Sequence, residues 1–273
     1  MLELNNVHFV YEAGQPPAVT GITFSVEPGD FVVILGRNGS GKSTLAKLMS
    51  GVIVPIRGTV QIMGLDTRER SHKRTIRRFV SLMLSDPENQ IVSTLVEEDV
   101  AFGPENLGVP LEEIEHRVQE ALASVGLTGY RNSSPRFLSG GEKQRLAIAG
   151  LLAIRTRYLV LDEPTAMLDA RGRREVLAVL AQLNETEGIG VVMTSHRAEE
   201  MIWAKRVVIL DEGQVRAIGY PKDIMGDEEL LIASGIEPPP LSRLADALRR
   251  RGFQLPKPIL TVEEMVKTLC QSV

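Results

Sequence analysis

The run FVVILGRNGSGKSTLAKLMSG, residues 31–51, constrains this chain more than any other stretch. Five consecutive apolar residues, Phe31 to Leu35, read as a strand buried on both faces. Gly36 to Thr44 follow as G-x-x-x-x-G-K-S-T, and the apolar spacing beyond them is helical. A strand, a glycine-rich turn and a helix in this order direct backbone N–H groups inward around phosphate oxygens. The candidate phosphate-binding residues are therefore Gly36, Arg37, Asn38, Gly39, Ser40, Gly41, Lys42, Ser43 and Thr44. Lys42 reaches the β- and γ-phosphates, and the Ser43 hydroxyl is placed to ligate Mg²⁺. A turn that bound nothing requires neither of these two side chains.

Around this motif the chain changes character three times. Short β-type runs at Leu2 to Val10, Val19 to Val26, Phe31 to Leu35 and Thr59 to Met63 make the first third strand-rich. From Glu97 to Val125 the pattern becomes helical, with Leu111, Ile114, Val118, Ala121, Leu122 and Val125 on one face. Uniformly apolar strands return at Tyr158 to Leu161, Gly190 to Thr194 and Val207 to Leu210 with helices between them, as in a parallel sheet covered on both sides. The Pro-rich GIEPPPLSR, Gly235 to Arg243, marks a boundary. Beyond it LSRLADALRRRGF and TVEEMVKTLC read as two helices too short to fold alone, which must dock on the main body or on a partner.

Two of the returning strands end in chemistry. RYLVLDEP places Asp162 and Glu163 at a strand terminus, where open parallel sheets bind their ligands. By itself DE after a strand is an ordinary surface turn, but with the phosphate loop present Asp162 fits the Mg²⁺ shell. Glu163 then fits the base that takes a proton from a water attacking the γ-phosphate. GIGVVMTS leads to His196 on the same edge, positioned to hydrogen-bond the γ-phosphate and orient that water. Tyr11, upstream of the loop, is a candidate to stack on adenine.

LSGGEKQR, Leu138 to Arg145, poses a separate question, because the nucleotide is already cradled without it. Ser139 and Glu142 form S-x-x-E ahead of a helical run, a capping box that explains two residues. It leaves Gly140 and Gly141 unexplained, since glycines at a helix start cost backbone entropy and are useful where backbone must approach a ligand. A helix N-terminus with bare N–H groups and a serine hydroxyl suits a γ-phosphate. The simplest arrangement closes this second site on a nucleotide held by a neighbouring molecule.

Composition removes several classes. The formal charge of −4 supplies no general attraction to nucleic acid, and the one basic cluster, Arg68 to Arg78, reads as a solvated helix face. With one cysteine, Cys270, no disulfide can form within the chain, which points to a reducing compartment. The N-terminal residues lack the basic start and apolar stretch of a signal peptide. No run approaches the roughly 20 apolar residues that span a bilayer, so at a membrane another chain must cross it.

Taken together, GRNGSGKST, LSGGEKQR, LVLDEP, the MLD ending at Asp169, and Ser195–His196 occur in the order and spacing of ABC transporter ATPases, a resemblance covering about residues 1–225. More narrowly, DPENQ with EEDVAFGPENLGV, the IAGLLA after the signature and the tail from GIEPPPLSR resemble ATP-binding subunits of energy-coupling factor transporters, which carry vitamins or cobalt and nickel ions into prokaryotic cells. The resemblance implies an α/β P-loop NTPase fold: a RecA-like parallel core, an N-terminal antiparallel β subdomain, a helical subdomain at about 95–155, and a small helical extension at 235–273 beyond the ATPase domain of 1–234. It implies ATP and Mg²⁺ as ligands, with Gln90 and Asp169 joining the site residues, Asp169 in the loop facing the opposite site. It further implies a head-to-tail dimer with an identical or sister ATPase, at the cytoplasmic face of the membrane. The other implied partners are a transmembrane coupling protein and a membrane substrate-binding protein, with no nucleic acid. One position departs from the family: where a glutamine that senses Mg²⁺ and the attacking water usually stands, this chain has Ser85. DNA-repair and translation ATPases share the main motifs. The former normally carry coiled-coil or zinc-bearing insertions and the latter usually fuse two such units, features not read in this sequence.

Overall fold

The structure, a computed structural model, describes residues 1–12, 14–86 and 90–271. Strands β1 (Leu2–Phe9) and β2 (Val19–Val26) come first, then the central strand β3 (Phe31–Leu35) and helix α1 (Lys42–Met49), then β4 (Arg57–Ile62) and β5 (Leu65–Asp66). β1, β2, β4 and β5 form an antiparallel sheet in the order β2-β1-β4-β5. The basic run becomes a 3₁₀ turn and α2 (Lys73–Phe79), which buries only Ile76 and leaves its lysine and arginines in solvent. β6 (Val80–Met83) follows directly, then α3 (Val96–Asn106), α4 (Leu111–Ser124) and α5 (Gly140–Ala153). The chain continues through β7 (Tyr158–Asp162), α6 (Ala170–Glu187), β8 (Gly190–Ser195), β9 (Arg206–Asp211) and β10 (Gln214–Gly219), and ends in α7 (Pro221–Gly226), α8 (Glu228–Ala233), α9 (Pro240–Arg250) and α10 (Val262–Gln271).

The second sheet is ordered β10-β9-β3-β8-β7-β6, parallel throughout except at β10. Its inner strands are buried along their whole length because alternate residues serve two cores. Phe31, Val33 and Leu35 join the cluster built with α3 to α6, whereas Val32 and Ile34 face α1 and the antiparallel sheet. β3 therefore lies in the centre of the molecule, and its C-terminal end is fixed from both sides.

Several boundaries differ from the sequence expectation. β4 begins two residues earlier and ends before Met63, whose φ of 52° with Gly64 turns the chain. β1 stops at Phe9 and carries an irregularity around Asn6, φ 47°. β6 falls in a stretch to which the sequence pattern assigns no element, yet Val80–Met83 pair in parallel with Tyr158–Leu161. The two tail helices close over a small cluster of Ala245, Leu255, Ile259 and Met265, and the nearby Asp246 carboxyl pushes that of Glu228 in α8 up. Among the described residues no helix is long and apolar enough to cross a membrane.

Tyr158 shows how tightly the lower edge of the sheet is packed. Its ring is fully buried, its hydroxyl donates to the Val26 carbonyl at 3.3 Å, and burial pushes its pKa up to about 12. A Cβ on Gly190 would stand 2.5 Å from the Tyr158 ring. Gly190→Ala is expected to lower unfolding free energy by about 1–3 kcal/mol, seen as a shifted urea midpoint at unchanged slope.

Candidate functional site

The phosphate loop is shaped by its own chain. Gly36 N–H donates to the Ser195 carbonyl at 3.2 Å, and Gly213 N–H to the Ser40 carbonyl at 2.9 Å, tying the loop to β8 and to the β9–β10 turn. A Cβ at Gly36 would lie 2.3 Å from the Leu210 carbonyl oxygen, and one at Gly41, φ 101°, would lie 2.4 Å from that of Ala18. Both glycines are required by backbone that cannot yield. Lys42, 4% exposed, donates from Nζ to the carbonyls of Gly36 at 2.8 Å and Arg37 at 3.0 Å. Ser43 is exposed in the first turn of α1. Thr44 is buried, its hydroxyl 3.0 Å from that of Tyr11, and the Tyr11 ring stands edge-on to Phe9 with 55% of its surface exposed. Asn38 and Gly39 are exposed at the loop tip.

Arg37 departs from the simple reading. Its guanidinium turns out of the loop to pair with Asp211 at 3.1 Å and Glu212 at 3.0 Å, so within the loop it contributes its carbonyl, which accepts from Lys42 Nζ at 3.0 Å and from Ser40 N–H at 3.2 Å. The cause is proximity to the β9–β10 turn, where two carboxylates offer better partners than solvent.

The sheet register supplies the acids. Asp162 lies beside Thr194 and Leu35 beside Ser195, so the ends of β3, β7 and β8 share one edge. Asp162 is 3% exposed and accepts from the Thr194 hydroxyl at 2.7 Å, and the same hydroxyl accepts from Glu163 N–H at 3.0 Å. Glu163 takes a left-handed φ of 49°, uncommon for a side chain of its size and a form of strain found at functional sites. Its carboxylate lies between two nitrogens, Lys42 Nζ at 3.3 Å from Oε1 and His196 Nδ1 at 3.2 Å from Oε2. Thr194 was not among the sequence candidates, although a threonine ending an aliphatic strand was the available signal.

LSGG occupies a different surface. Ser139 caps α5 in a complete capping box: its N–H donates to Glu142 Oε2 at 2.8 Å, its hydroxyl lies 2.8 Å from that same oxygen, and Glu142 N–H reaches the hydroxyl at 3.4 Å. The Ser139 N–H holds the Glu142 carboxyl below its usual range. A Cβ at Gly140 or Gly141 would meet nothing nearer than Leu168 Cδ2 at 4.0 Å and Gly172 Cα at 3.8 Å. Neither glycine has a positive φ, so nothing described within this chain requires one. Both open onto a cleft of about 400 Å³ that Asp169 also lines, and the Asp169 carboxylate caps α6 by accepting Gly172 N–H at 2.7 Å. Among the described residues no hydrogen bond or ion pair joins Ser139, Gly140 or Gly141 to the phosphate loop.

Comparison with known proteins decides the family. The pattern of the ABC transporter family matches residues 19–166, and that of the energy-coupling factor transporter EcfA1 C-terminal domain matches residues 242–273. The chain is 46% identical to the energy-coupling factor transporter ATP-binding protein EcfA1 of Caldanaerobacter subterraneus and 44% identical to that of Clostridium novyi, over 99% of this chain and 99% and 98% of those proteins. It belongs to the energy-coupling factor transporter ATP-binding proteins. Its fold is similar to that of cbiO1 from Clostridium perfringens, described as part of the ABC transporter complex cbiONQ, with a TM-score of 0.79 at 30% identity over 91% of this chain and 98% of that one. It is also similar to the ATP-binding cassette MJ0796 in a dimeric post-hydrolysis state bound to ADP and Pi, with a TM-score of 0.73 at 28% identity over 81% of this chain and 99% of that one.

This energy-coupling factor protein is thus an ATPase with a P-loop NTPase fold, an antiparallel sheet and a helical subdomain. Ser85 is exposed just beyond β6, Gln90 is partly buried ahead of α3, and residues 87–89 of the DPENQ stretch lie outside the described residues. The glycine contrast gives a direct test. Gly36→Ala is expected to weaken nucleotide binding by the isolated chain at least about tenfold, since phosphate-binding backbone must shift. Gly140→Ala and Gly141→Ala are expected to leave that affinity unchanged and the thermal midpoint unchanged or raised, by up to about 1 kcal/mol each in helix propensity. Isothermal titration and scanning calorimetry read both.

Proposed function

We propose that this chain binds ATP with Mg²⁺ and hydrolyses it in a composite site completed by a second ATPase subunit. The Lys42–Glu163–His196 cluster at the strand ends carries this reading. Gly36 to Thr44 would wrap the phosphates, with Tyr11 against the adenine. Ser43 and Asp162 would hold the metal, and two hard oxygen donors suit Mg²⁺. Thr194 is hydrogen-bonded to Asp162 Oδ1, so the fit does not depend on a free side-chain rotation. A metal ion held by Ser43 and Asp162 would neutralise charge on the β- and γ-phosphates. Lys42 would exchange its carbonyl and Glu163 partners for phosphate, releasing Glu163 to take a proton from water while His196 orients it. Gln90 would sense the metal side or the membrane partner.

Ser139, Gly140, Gly141 and Asp169 would serve the partner's nucleotide, because two of them are glycines without an internal reason. One helix N-terminus gives an anion about 0.3–1 kcal/mol, or about 2 when partly buried. Driving a two-state switch from 1:99 to 99:1 needs about 5.5 kcal/mol, so closure needs both symmetry-related sites with their lysines and metals. Loss of the shared γ-phosphate then opens the dimer and moves membrane partners. Those partners would be a transmembrane coupling protein and a substrate-binding protein, with this subunit peripheral at the cytoplasmic face and a vitamin or a cobalt or nickel ion as the cargo. Residues 235–273, beyond the ATPase domain of 1–234, would serve docking or dimerisation.

Glu163→Gln is expected to retain ATP binding, to lower turnover at least about a hundredfold and to trap an ATP-dependent dimer on a sizing column. Normal turnover would remove Glu163 from its role. Ser139→Ala is expected to cost about 1 kcal/mol at the helix cap, keep monomer nucleotide affinity and abolish ATP-induced dimerisation. Equal loss of monomer binding would refute the composite site.

The departure at Ser85 makes a further prediction. A serine hydroxyl is shorter than a glutamine amide and spans the same gap only through water. Ser85→Gln is expected to raise basal ATPase activity, and Gln90→Ala to impair transport coupling more than hydrolysis. Unchanged activity in the first with abolished hydrolysis in the second would assign the metal-side amide to Gln90.

A further inference from the structure

Beyond the cluster at the strand ends lies a buried acid that the proposed mechanism does not use. Glu200, in the 3₁₀ turn Ala198–Trp203, is 1% exposed. A carboxylate in that position is costly unless it is well paired, and burial pushes the Glu200 carboxyl up. Its partners are specific. Thr165, itself 2% exposed, donates its hydroxyl to Glu200 Oε1 at 2.6 Å, while Glu200 Oε2 is buried with no hydrogen-bond partner among the described residues. The positive charge of Arg173, from the start of α6, also acts on it.

Thr165 and Glu200 belong to the two segments that bear the chemistry. Thr165 lies two residues after Glu163 in a tight turn where Ala166 N–H reaches the Glu163 carbonyl at 3.2 Å and Leu168 N–H the Thr165 carbonyl at 3.2 Å. That turn holds Glu163 in its left-handed backbone and leads to Asp169. Ser195 immediately precedes His196, and its carbonyl anchors Gly36 N–H at the start of the phosphate loop. We propose that Glu200 is a positioning residue for hydrolysis, fixing through Thr165 the turn that carries Glu163 against the segment that follows His196. An apolar residue of similar volume would fill the same space more cheaply but could not accept from the Thr165 hydroxyl.

The inference rests on the catalytic assignment of Glu163 and His196, and the test separates the two. Steady-state ATPase kinetics of the full chain are measured for Glu200→Ala, Glu200→Gln, Thr165→Val and the Glu200→Ala/Thr165→Val pair, beside Glu163→Gln, with nucleotide affinity and thermal midpoint for each. Glu200→Ala is expected to lower kcat about ten- to a hundredfold with KM for ATP within about twofold, because misplacement and not binding is lost. Thr165→Val should lower kcat in the same direction, and the double variant should be no worse than Glu200→Ala alone. Glu200→Gln, whose amide oxygen still accepts from Thr165, should recover most of the activity. The inference is overturned if kcat is unchanged while only the thermal midpoint falls, or if the two losses multiply. Should Glu200→Ala fail to fold, Thr165→Val and Glu200→Gln decide by the same kcat-against-KM split. If Glu163→Gln turns over normally, the catalytic assignment itself fails; if it is inactive while the Thr165 and Glu200 variants are not, only the role of Glu200 fails.

Discussion

The rest of the structure depends on where it can keep the Lys42 ammonium. At 4% exposure that group has lost most of its water and must be met by fixed oxygen atoms, here the Gly36 and Arg37 carbonyls and the Glu163 carboxylate. Two of those oxygens belong to a loop whose curvature depends on Gly36 fitting against Leu210 and Gly41 against Ala18. The third belongs to a neighbouring strand end, available only because β7 is aligned with β8 and β8 with β3. The central sheet, the loop and the acid are one arrangement serving one cation. A triphosphate suits this place because its oxygens can take over the contacts that the chain otherwise supplies to itself.

The glycines divide into those that the chain explains and those that it does not. Gly36 and Gly41 are forced by backbone atoms within 2.4 Å of a would-be Cβ, whereas Gly140 and Gly141 have nothing nearer than 3.8 Å. Helix-start glycines without an internal cause weaken α5, and the capping box of Ser139 and Glu142 offsets part of that. The Ser139 hydroxyl lies 2.8 Å from Glu142 Oε2, so a phosphate arriving there competes with a carboxylate that already holds it. The proposed closure on a partner's nucleotide would therefore begin from a satisfied resting state, which disfavours adventitious anion binding.

Much of this was legible in the sequence because strand ends are informative. FVVIL, YLVLD and GVVMTS are apolar runs with abrupt polar endings, and a parallel sheet places all such endings on one edge. Lys42, Glu163 and His196 could be joined on that ground. What escaped was set by partners distant in the chain. Arg37 could not be seen turning to Asp211, which is far along the sequence, nor Tyr158 packing against Gly190. β6 escaped because four residues following a basic helix carry no periodicity, and β10 because its alternate exposure is that of an edge strand. The tail was read only as two helices needing support. The structure shows that they give much of that support to each other, with Leu260 between them packed on the main core.

Buried polar contacts around the site form a chain in which each member limits the next. The Thr194 hydroxyl spans Asp162 and the Glu163 N–H, fixing the acid pair relative to β8. Ser195 links β8 to Gly36 through its carbonyl, and its hydroxyl accepts Arg197 N–H at 2.9 Å just beyond His196, so the loop and the histidine share one residue of backbone. Asp169 lies at the far end of the turn from Glu163, capping α6 where Gly172 approaches Gly141. A displacement of Glu163 by a bound phosphate has few soft directions in such a network, because strands fix one side and α6 the other. The remaining direction runs along the 163–169 turn toward the cleft that Ser139 lines. The turn thereby joins the site proposed to hydrolyse one nucleotide to the surface proposed to grip another.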